Sequence, residues 1–261
     1  MADFDHFPVF FGYKEFITVY KKALFLASNF VYMIQYEALY NITYGLYIVT
    51  SGCKDKPAGF IANAAFQVTS EPPQFAVCCN KNNYSASIIR QSGMFGLSVL
   101  HKDASAELIG TFGYKSGKDI NKFDQVAVKY TNSGLPLVIQ DTLVVLEFKL
   151  VQEIDAGTHY IFIGELIATD IIDATAEPLT YAYYRKIKKG KAPKNAPTYI
   201  DESRLINTLT QNTPEQNNAH QYKCEVCGYL YTEDYAGAFD ALGPNWVCPV
   251  CGVTKNEFIK I

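Results

Sequence analysis

Residues 221–261 read QYKCEVCGYLYTEDYAGAFDALGPNWVCPVCGVTKNEFIKI, and two stretches inside them repeat one pattern: Cys224-Glu-Val-Cys227-Gly228 and Cys248-Pro-Val-Cys251-Gly252. A two-residue gap lets both sulfurs of a pair converge on one atom. The glycine that follows tolerates a backbone conformation in which amide N–H groups point at sulfur. Two such knuckles facing one another make a tetrahedral set of four thiolates, which fits zinc or iron. A segment this short cannot bury enough apolar surface to fold without a staple, and the metal is that staple.

The ligands alone leave zinc and iron open, and a structural zinc ribbon uses the same knuckles. The rings around them carry further information. Tyr222, Tyr229, Tyr231, Phe239, Trp246 and Phe258 lie at set offsets from the cysteines: a Tyr two before the first Cys, Tyr two and four after the second, Trp two before the third and Phe seven after the fourth. This arrangement closely resembles rubredoxin, with a shorter stretch between Cys227 and Cys248 than in free-standing rubredoxins, as in versions found in fusion proteins. The resemblance implies one iron held by Cys224, Cys227, Cys248 and Cys251, and one-electron transfer.

Upstream, the pattern is that of strands. The runs 42–52, 74–80, 94–100, 142–154 and 159–172 are rich in β-branched and aromatic residues and bounded by Gly, Pro or Asn. Two short helices are expected between them, Ser85 to Gln91 ending at Gly93, and Ala104 to Phe112 with Asp103 as N-cap and Gly113 as stop. The expected fold class is therefore mainly β, an antiparallel barrel with a few helices, followed by a small metal-bound domain.

The stretch KPAGFIANAAFQVTSEPPQFAVCCNKNNYSASIIRQSG at 56–93 resembles the flavin reductase family of FMN-binding split β-barrels, with its Gly-x-x-Ala-Asn segment, a Ser or Thr before Pro-Pro, and an Asn-Lys segment entering a short helix. The resemblance covers roughly residues 35–185 and implies FMN as cofactor. The residues agree with it. Asn63, Ala64 and Ala65 offer amide and backbone groups with little side-chain bulk, while Asn80, Asn82, Asn83, Tyr84 and Ser85 approach a helix N-terminus suited to a phosphate. Thr50 and Thr69 complete the expected cofactor-binding set. His159 matches a histidine the family places near the flavin or nicotinamide and is the candidate catalytic residue; its bland alternative is a surface strand histidine. Cys53, Cys78 and Cys79 read as small core residues. The segment 177–200 resembles the end of the flavin domain in fusions of a flavin reductase-like domain to rubredoxin, the high molecular weight rubredoxins. Its basic, proline-containing part reads as a solvated tail, with a face for an acidic redox partner as the second reading.

The expected division is an N-terminal extension at 1–32, a flavin domain at 33–200, a polar linker at 201–220 and the metal module at 221–261. The first 32 residues imitate a signal sequence, but two aspartates, Asn29 and the lack of a small-x-small site argue instead for an amphipathic extension or an over-extended reading frame. A formal charge of −3 argues against nucleic-acid binding. The C-x-x-C pairs and the absence of a convincing signal peptide point to a cytoplasmic protein with no membrane span. Joined, the resemblances imply electron flow from NAD(P)H through FMN to iron and on to a partner such as a flavodiiron protein, in a homodimer. The alternatives are a flavin reductase that releases reduced FMN and a carrier reduced by another protein. A twenty-residue linker spans roughly 25 Å root-mean-square, which would let the iron module swing over the flavin site.

Overall fold

The structure, a computed structural model, describes residues 34–205, 220–233 and 237–261. The extension at 1–32 and most of the linker lie outside these. Among the described residues, twelve strands and three α-helices follow in chain order: β1 (Tyr47–Cys53), β2 (Lys56–Ala62), β3 (Ala65–Ser70), β4 (Pro73–Asn80), α1 (Tyr84–Ser92), β5 (Met94–Leu100), α2 (Ala106–Tyr114), β6 (Val128–Tyr130), β7 (Pro136–Val138), β8 (Thr142–Ala156), β9 (His159–Ile171), α3 (Tyr181–Lys186), β10 (Gln221–Cys224), β11 (Leu230–Thr232) and β12 (Phe258–Lys260).

Seven strands form one antiparallel sheet in the order β2-β1-β5-β8-β9-β4-β3. Alternation along β1 shows how it is enclosed. Val49 joins Phe60, Val77, Phe95, Leu97, Phe148 and Phe162 in one core, into which α1 inserts Ala86 and Ile89. Its neighbour Ile48 points the other way, into a second core with Leu108, Ile109 and Phe112 of α2 and Tyr181 and Tyr184 of α3. Successive strand residues face opposite sides, so a strand covered on both sides is apolar at both parities, as β1 is.

The expected strands at 74–80, 94–100 and 142–154 appear within a residue or two of their forecast ends. Two forecasts move. The run at 42–52 becomes a strand only from Tyr47; before it, Gly45 bridges Thr180 and the Leu46 amide donates to the Leu179 carbonyl. Helix α2 starts later than forecast because Ser105, not Asp103, is its N-cap: the Ser105 hydroxyl accepts from the Leu108 amide, while the Asp103 amide turns back to His101 Nδ1; it also runs through Gly113, the forecast stop, to Tyr114, with Lys115 as C-cap. Strands β2 and β3 were not singled out from sequence. Lys-Pro-Ala-Gly is a poor strand sequence by propensity, and it is held extended as part of β2 by the seven residue pairs that β2 makes with β1.

The C-terminal module has its own three-stranded sheet, β11-β10-β12. Tyr222 stacks on Phe239 with ring centroids 4.1 Å apart, and Tyr231, Phe239, Trp246 and Phe258 pack edge-on or tilted at 5.2–5.8 Å.

Candidate metal centre and flavin cleft

The two knuckles are built alike. The Gly228 amide donates to the Cys224 carbonyl at 2.8 Å and the Cys224 amide to the Tyr229 carbonyl at 2.9 Å; the Gly252 amide donates to Cys248 at 2.9 Å and the Cys248 amide to Val253 at 2.7 Å. Gly228 and Gly252 hold φ of 75° and 72°, the left-handed region that a side chain resists. These turns aim four sulfurs inward. All four ligand atoms lie within 4.8 Å of one another, with Cys224 and Cys251 sulfurs 3.7 Å apart and Cys227 and Cys248 sulfurs 3.5 Å apart. A tetrahedron with metal–sulfur bonds of about 2.3 Å has edges of about 3.8 Å, so the sulfur cage is already near the size that one iron requires. All four cysteines are buried, Cys227 the least at 8% exposure.

Beside the knuckles runs a cleft of about 1440 Å³, wider than an ordinary small-molecule pocket of roughly 300–1,000 Å³. Strand β2 contributes Phe60, Ile61 and Ala62. The end of β4 and the turn into α1 contribute Asn80, Asn82, Asn83 and Tyr84, and Cys227, Gly228 and Tyr229 of the module form part of its wall. The turn is locally made: Asn80 Oδ1 accepts from the Asn82 amide at 2.9 Å, and Asn83 caps α1 by accepting from the Ser85 amide at 3.0 Å.

The expected cofactor residues divide. Asn80, Asn82, Asn83 and Tyr84 line the cleft, and Ser85 follows them, buried in the first turn of α1. Asn63 is 5% exposed, donates from Nδ2 to the Thr198 hydroxyl at 2.5 Å, and leaves its buried Oδ1 with no partner. A buried acceptor left unpaired costs about 1–3 kcal/mol, and a ring N–H of a flavin is a donor of the type it lacks. Ala64 and Ala65 continue from it around the β2–β3 corner. Thr50 and Thr69 are elsewhere. The Thr50 hydroxyl, fully buried, donates to the Pro136 carbonyl of β7 at 2.5 Å, so it ties β1 to β7 and does not face the cleft. Thr69 sits near the exposed end of β3 with its hydroxyl donating to the Pro72 carbonyl of the β3–β4 turn at 2.6 Å. His159 has both ring nitrogens engaged, Nδ1 with the Thr158 hydroxyl at 2.8 Å and Nε2 with the Asn195 carbonyl at 3.1 Å. The carbonyl only accepts, so Nε2 carries the proton.

Those bonds expose an element that composition concealed. Residues 190–201, expected as a solvated tail, form a strap along the cleft, tied through Thr198 to Asn63, through Asn195 to His159 and through the Lys191 carbonyl to the Tyr114 hydroxyl. Likewise Cys53, read as a core residue, is exposed; Cys79 is buried, and burial pushes its thiol up to about 12.

Comparison with known proteins agrees with this architecture. The flavin reductase like domain family matches residues 39–190 and the rubredoxin family matches residues 221–258. A protein named high molecular weight rubredoxin from Moorella thermoacetica is 37% identical over 234 residues, covering 86% of this chain and 99% of its own. The chain belongs to the high molecular weight rubredoxin family. A ferric-chelate reductase (NAD(P)H) of Archaeoglobus fulgidus is 46% identical over 165 residues, 63% of this chain and 97% of its own. An NADH:FAD oxidoreductase from Streptomyces globisporus shares the fold, with a TM-score of 0.50 at 24% identity over 55% of this chain and 83% of its own. As a high molecular weight rubredoxin, the chain is an oxidoreductase that joins a flavin reductase domain to a four-cysteine iron module for electron transfer.

The chain also carries a residue in its cleft wall that sequence reasoning missed. Lys122 is 6% exposed, and its ammonium donates to the Gly59 and Phe112 carbonyls at 3.0 and 3.1 Å, 5.8 Å from the Phe112 ring centroid. No carboxylate is among these partners, and burial lowers its pKa to about 8. Between about pH 8 and the ordinary lysine range the unfolded chain holds a proton that the folded chain has lost, so this group makes stability rise with pH there. Cys79 acts with the opposite sign from about pH 9 upward, since its thiol ionises later in the folded state. Comparing wild type with Lys122→Met isolates the lysine. In urea unfolding, the stability of wild type relative to the variant is expected to rise between about pH 7.5 and about pH 9; parallel profiles would mean that the ammonium is not desolvated.

Proposed function

We propose that the cleft binds FMN and a nicotinamide together, that hydride enters there from NADH or NADPH, and that electrons leave one at a time through the four-cysteine iron to a protein acceptor of the flavodiiron kind. A bound flavin supplies the conversion, accepting a hydride and releasing its two electrons singly. The observation that carries this reading is shared space: Cys227, a ligand of the metal centre, and Asn80, Asn82, Asn83 and Tyr84, expected at the flavin phosphate, border one cleft. Asn63 would meet the flavin ring, with Ala64 and Ala65 allowing close approach, and the α1 N-terminus with Ser85 would hold the phosphate. His159 holds the strap carbonyl of Asn195, so its role in this reading is to keep the strap in place beside the ring.

Two finer points belong to the same proposal. Phe66 and Val68 of β3, Val151 and Ile154 of β8 and Ile167 of β9 are 39–58% exposed, on the β3-β4-β9-β8 part of the sheet, and a homodimer would cover them. None of the seven cysteines is paired in a disulfide, which supports a reducing compartment such as the cytoplasm. Among the described residues no helix is long and apolar enough to cross a membrane.

Anaerobic mixing with NADH or NADPH, following flavin and iron colour separately, tests the main reading. Flavin should bleach first and iron next. No bleaching with either nucleotide would mean that another protein reduces the chain, and FMN lost on gel filtration would favour release of reduced flavin. Asn63→Asp removes the donor to Thr198 and puts a charge at a buried position; FMN affinity should fall roughly ten- to a hundredfold, with a milder loss for Ser85→Ala. Unchanged dissociation constants in both variants would move the flavin elsewhere.

A further inference from the structure

We propose that helix α2 is a dock for the iron module within its own chain, and that Gly110 is the positioning residue that lets the module seat. The inference rests on the electron-transfer reading above and adds where the module sits when electrons enter it.

The nine-residue helix α2 turns Leu108, Ile109 and Phe112 into the domain core. Glu107, Gly110 and Tyr114, spaced by three and four residues, share another face, and on that face lies the second knuckle. A glycine inside a helix costs about 1 kcal/mol relative to alanine, so each one there needs a reason. Helix α2 has two. At Gly113 an added Cβ would meet only the Ile61 side chain, at 3.4 Å, which is ordinary contact. At Gly110 an added Cβ would lie 2.0 Å from the Cys251 carbonyl oxygen and 2.6 Å from its carbon, backbone atoms that move only if the knuckle moves. The fit is reciprocal. Gly252 would place a Cβ 2.8 Å from Glu107 Cα, so helix and knuckle meet glycine to glycine.

One turn further on, Tyr114 packs against the cluster of Cys224, Cys227, Cys248, Val250 and Cys251, and its hydroxyl donates to the strap at Lys191. Seated this way, the module turns Cys227, its most exposed ligand, to the cleft. The linker keeps the module nearby; the dock sets which sulfur faces the flavin and how close it comes.

The test uses the full-length protein loaded with FMN and iron, comparing wild type, Gly110→Ala, Gly110→Leu and Gly113→Ala. Amide hydrogen exchange reads the dock directly at 106–114 and 248–252, and anaerobic stopped-flow reads flavin and iron bleaching. In both Gly110 variants, protection at the two segments should fall and iron reduction should slow roughly tenfold or more. It should stay independent of protein concentration because the tether is intact, and flavin bleaching should be unchanged. Gly110→Ala adds helix propensity, so a loss there cannot be ascribed to a weakened helix. Gly113 itself lines the cleft, so Gly113→Ala is read by hydrogen exchange alone and should keep wild-type protection at 248–252. Unchanged protection and unchanged iron rates in both Gly110 variants overturn the proposal, as does an equal loss of protection in Gly113→Ala. If protection falls as expected while iron is not reduced by NAD(P)H even in wild type, the dock stands and the electron-transfer reading fails.

Discussion

Cys248→Ser is expected to strip the iron and unfold residues 221–261 while the flavin domain stays folded. The three strands of the module have four, three and three residues, too few to hold a sheet, and its apolar content is a handful of rings around the cage. Metal binding supplies on the order of 10 kcal/mol to modules of this kind, more than a core of about forty residues provides. Replacing one soft thiolate by a hard hydroxyl removes one of four ligands and opens the site to water. The chain has one tryptophan, Trp246, packed between Phe239 and Phe258 at 5.7 and 5.4 Å, so its fluorescence reports the module alone. The expected result is red-shifted Trp246 emission, loss of the iron absorption bands, and FMN content equal to wild type. Native emission with full metal content would show that three cysteines suffice. Stoichiometric zinc without iron in anaerobically purified wild type would remove the electron-transfer role altogether.

The cage was readable from sequence because everything that makes it is local: two C-x-x-C-G turns and rings at fixed offsets. The long strands β4, β5, β8 and β9 were readable for a similar reason, each a β-branched or aromatic run closed by turn residues. The cleft was readable only in part. The α1 turn from Asn80 to Tyr84 is a local motif, and its place at a helix start beside the cleft follows from that pattern. Thr50 lies 86 residues from Pro136, the partner that claims its hydroxyl, and no local pattern reveals that bond. The strap was misread for the same reason: lysines and prolines look solvated, and what holds 190–201 are bonds to Tyr114, His159 and Asn63 spanning 77, 36 and 135 residues. Lys122 lies in a polar turn-like stretch whose composition gives no sign of burial. Gly110 did leave a trace, a glycine inside a helix with no turn to make, whose meaning appears only once the knuckle is seen against it.

Cutting the chain within 206–219, through an inserted protease site, is expected to leave flavin reduction untouched and make iron reduction depend on concentration. Hydride transfer in the proposed scheme needs the residues expected to hold the flavin, Asn63, Asn80, Asn82, Asn83, Tyr84 and Ser85, which the flavin domain supplies; the module forms part of another wall of the cleft. Iron reduction needs the module on α2. In the intact chain the tether holds the module at an effective concentration of order millimolar; after cutting, a micromolar solution offers roughly a thousandfold less, and the small dock must recruit the module by itself. The dock centres on one helix face and one knuckle, Glu107 and Gly110 against Cys251 and Gly252, with Tyr114 beside them. The iron phase in cut protein should therefore slow by up to about a thousandfold at micromolar concentration and recover in proportion as free module is added, while the flavin phase stays fixed. The Gly110 variants separate tether from dock: cutting should convert a first-order iron phase to second order, whereas Gly110→Ala in the intact chain should slow it without changing its order. If the cut protein at micromolar concentration reduces its iron at the intact rate, the dock binds tightly enough on its own and the linker adds nothing to the transfer.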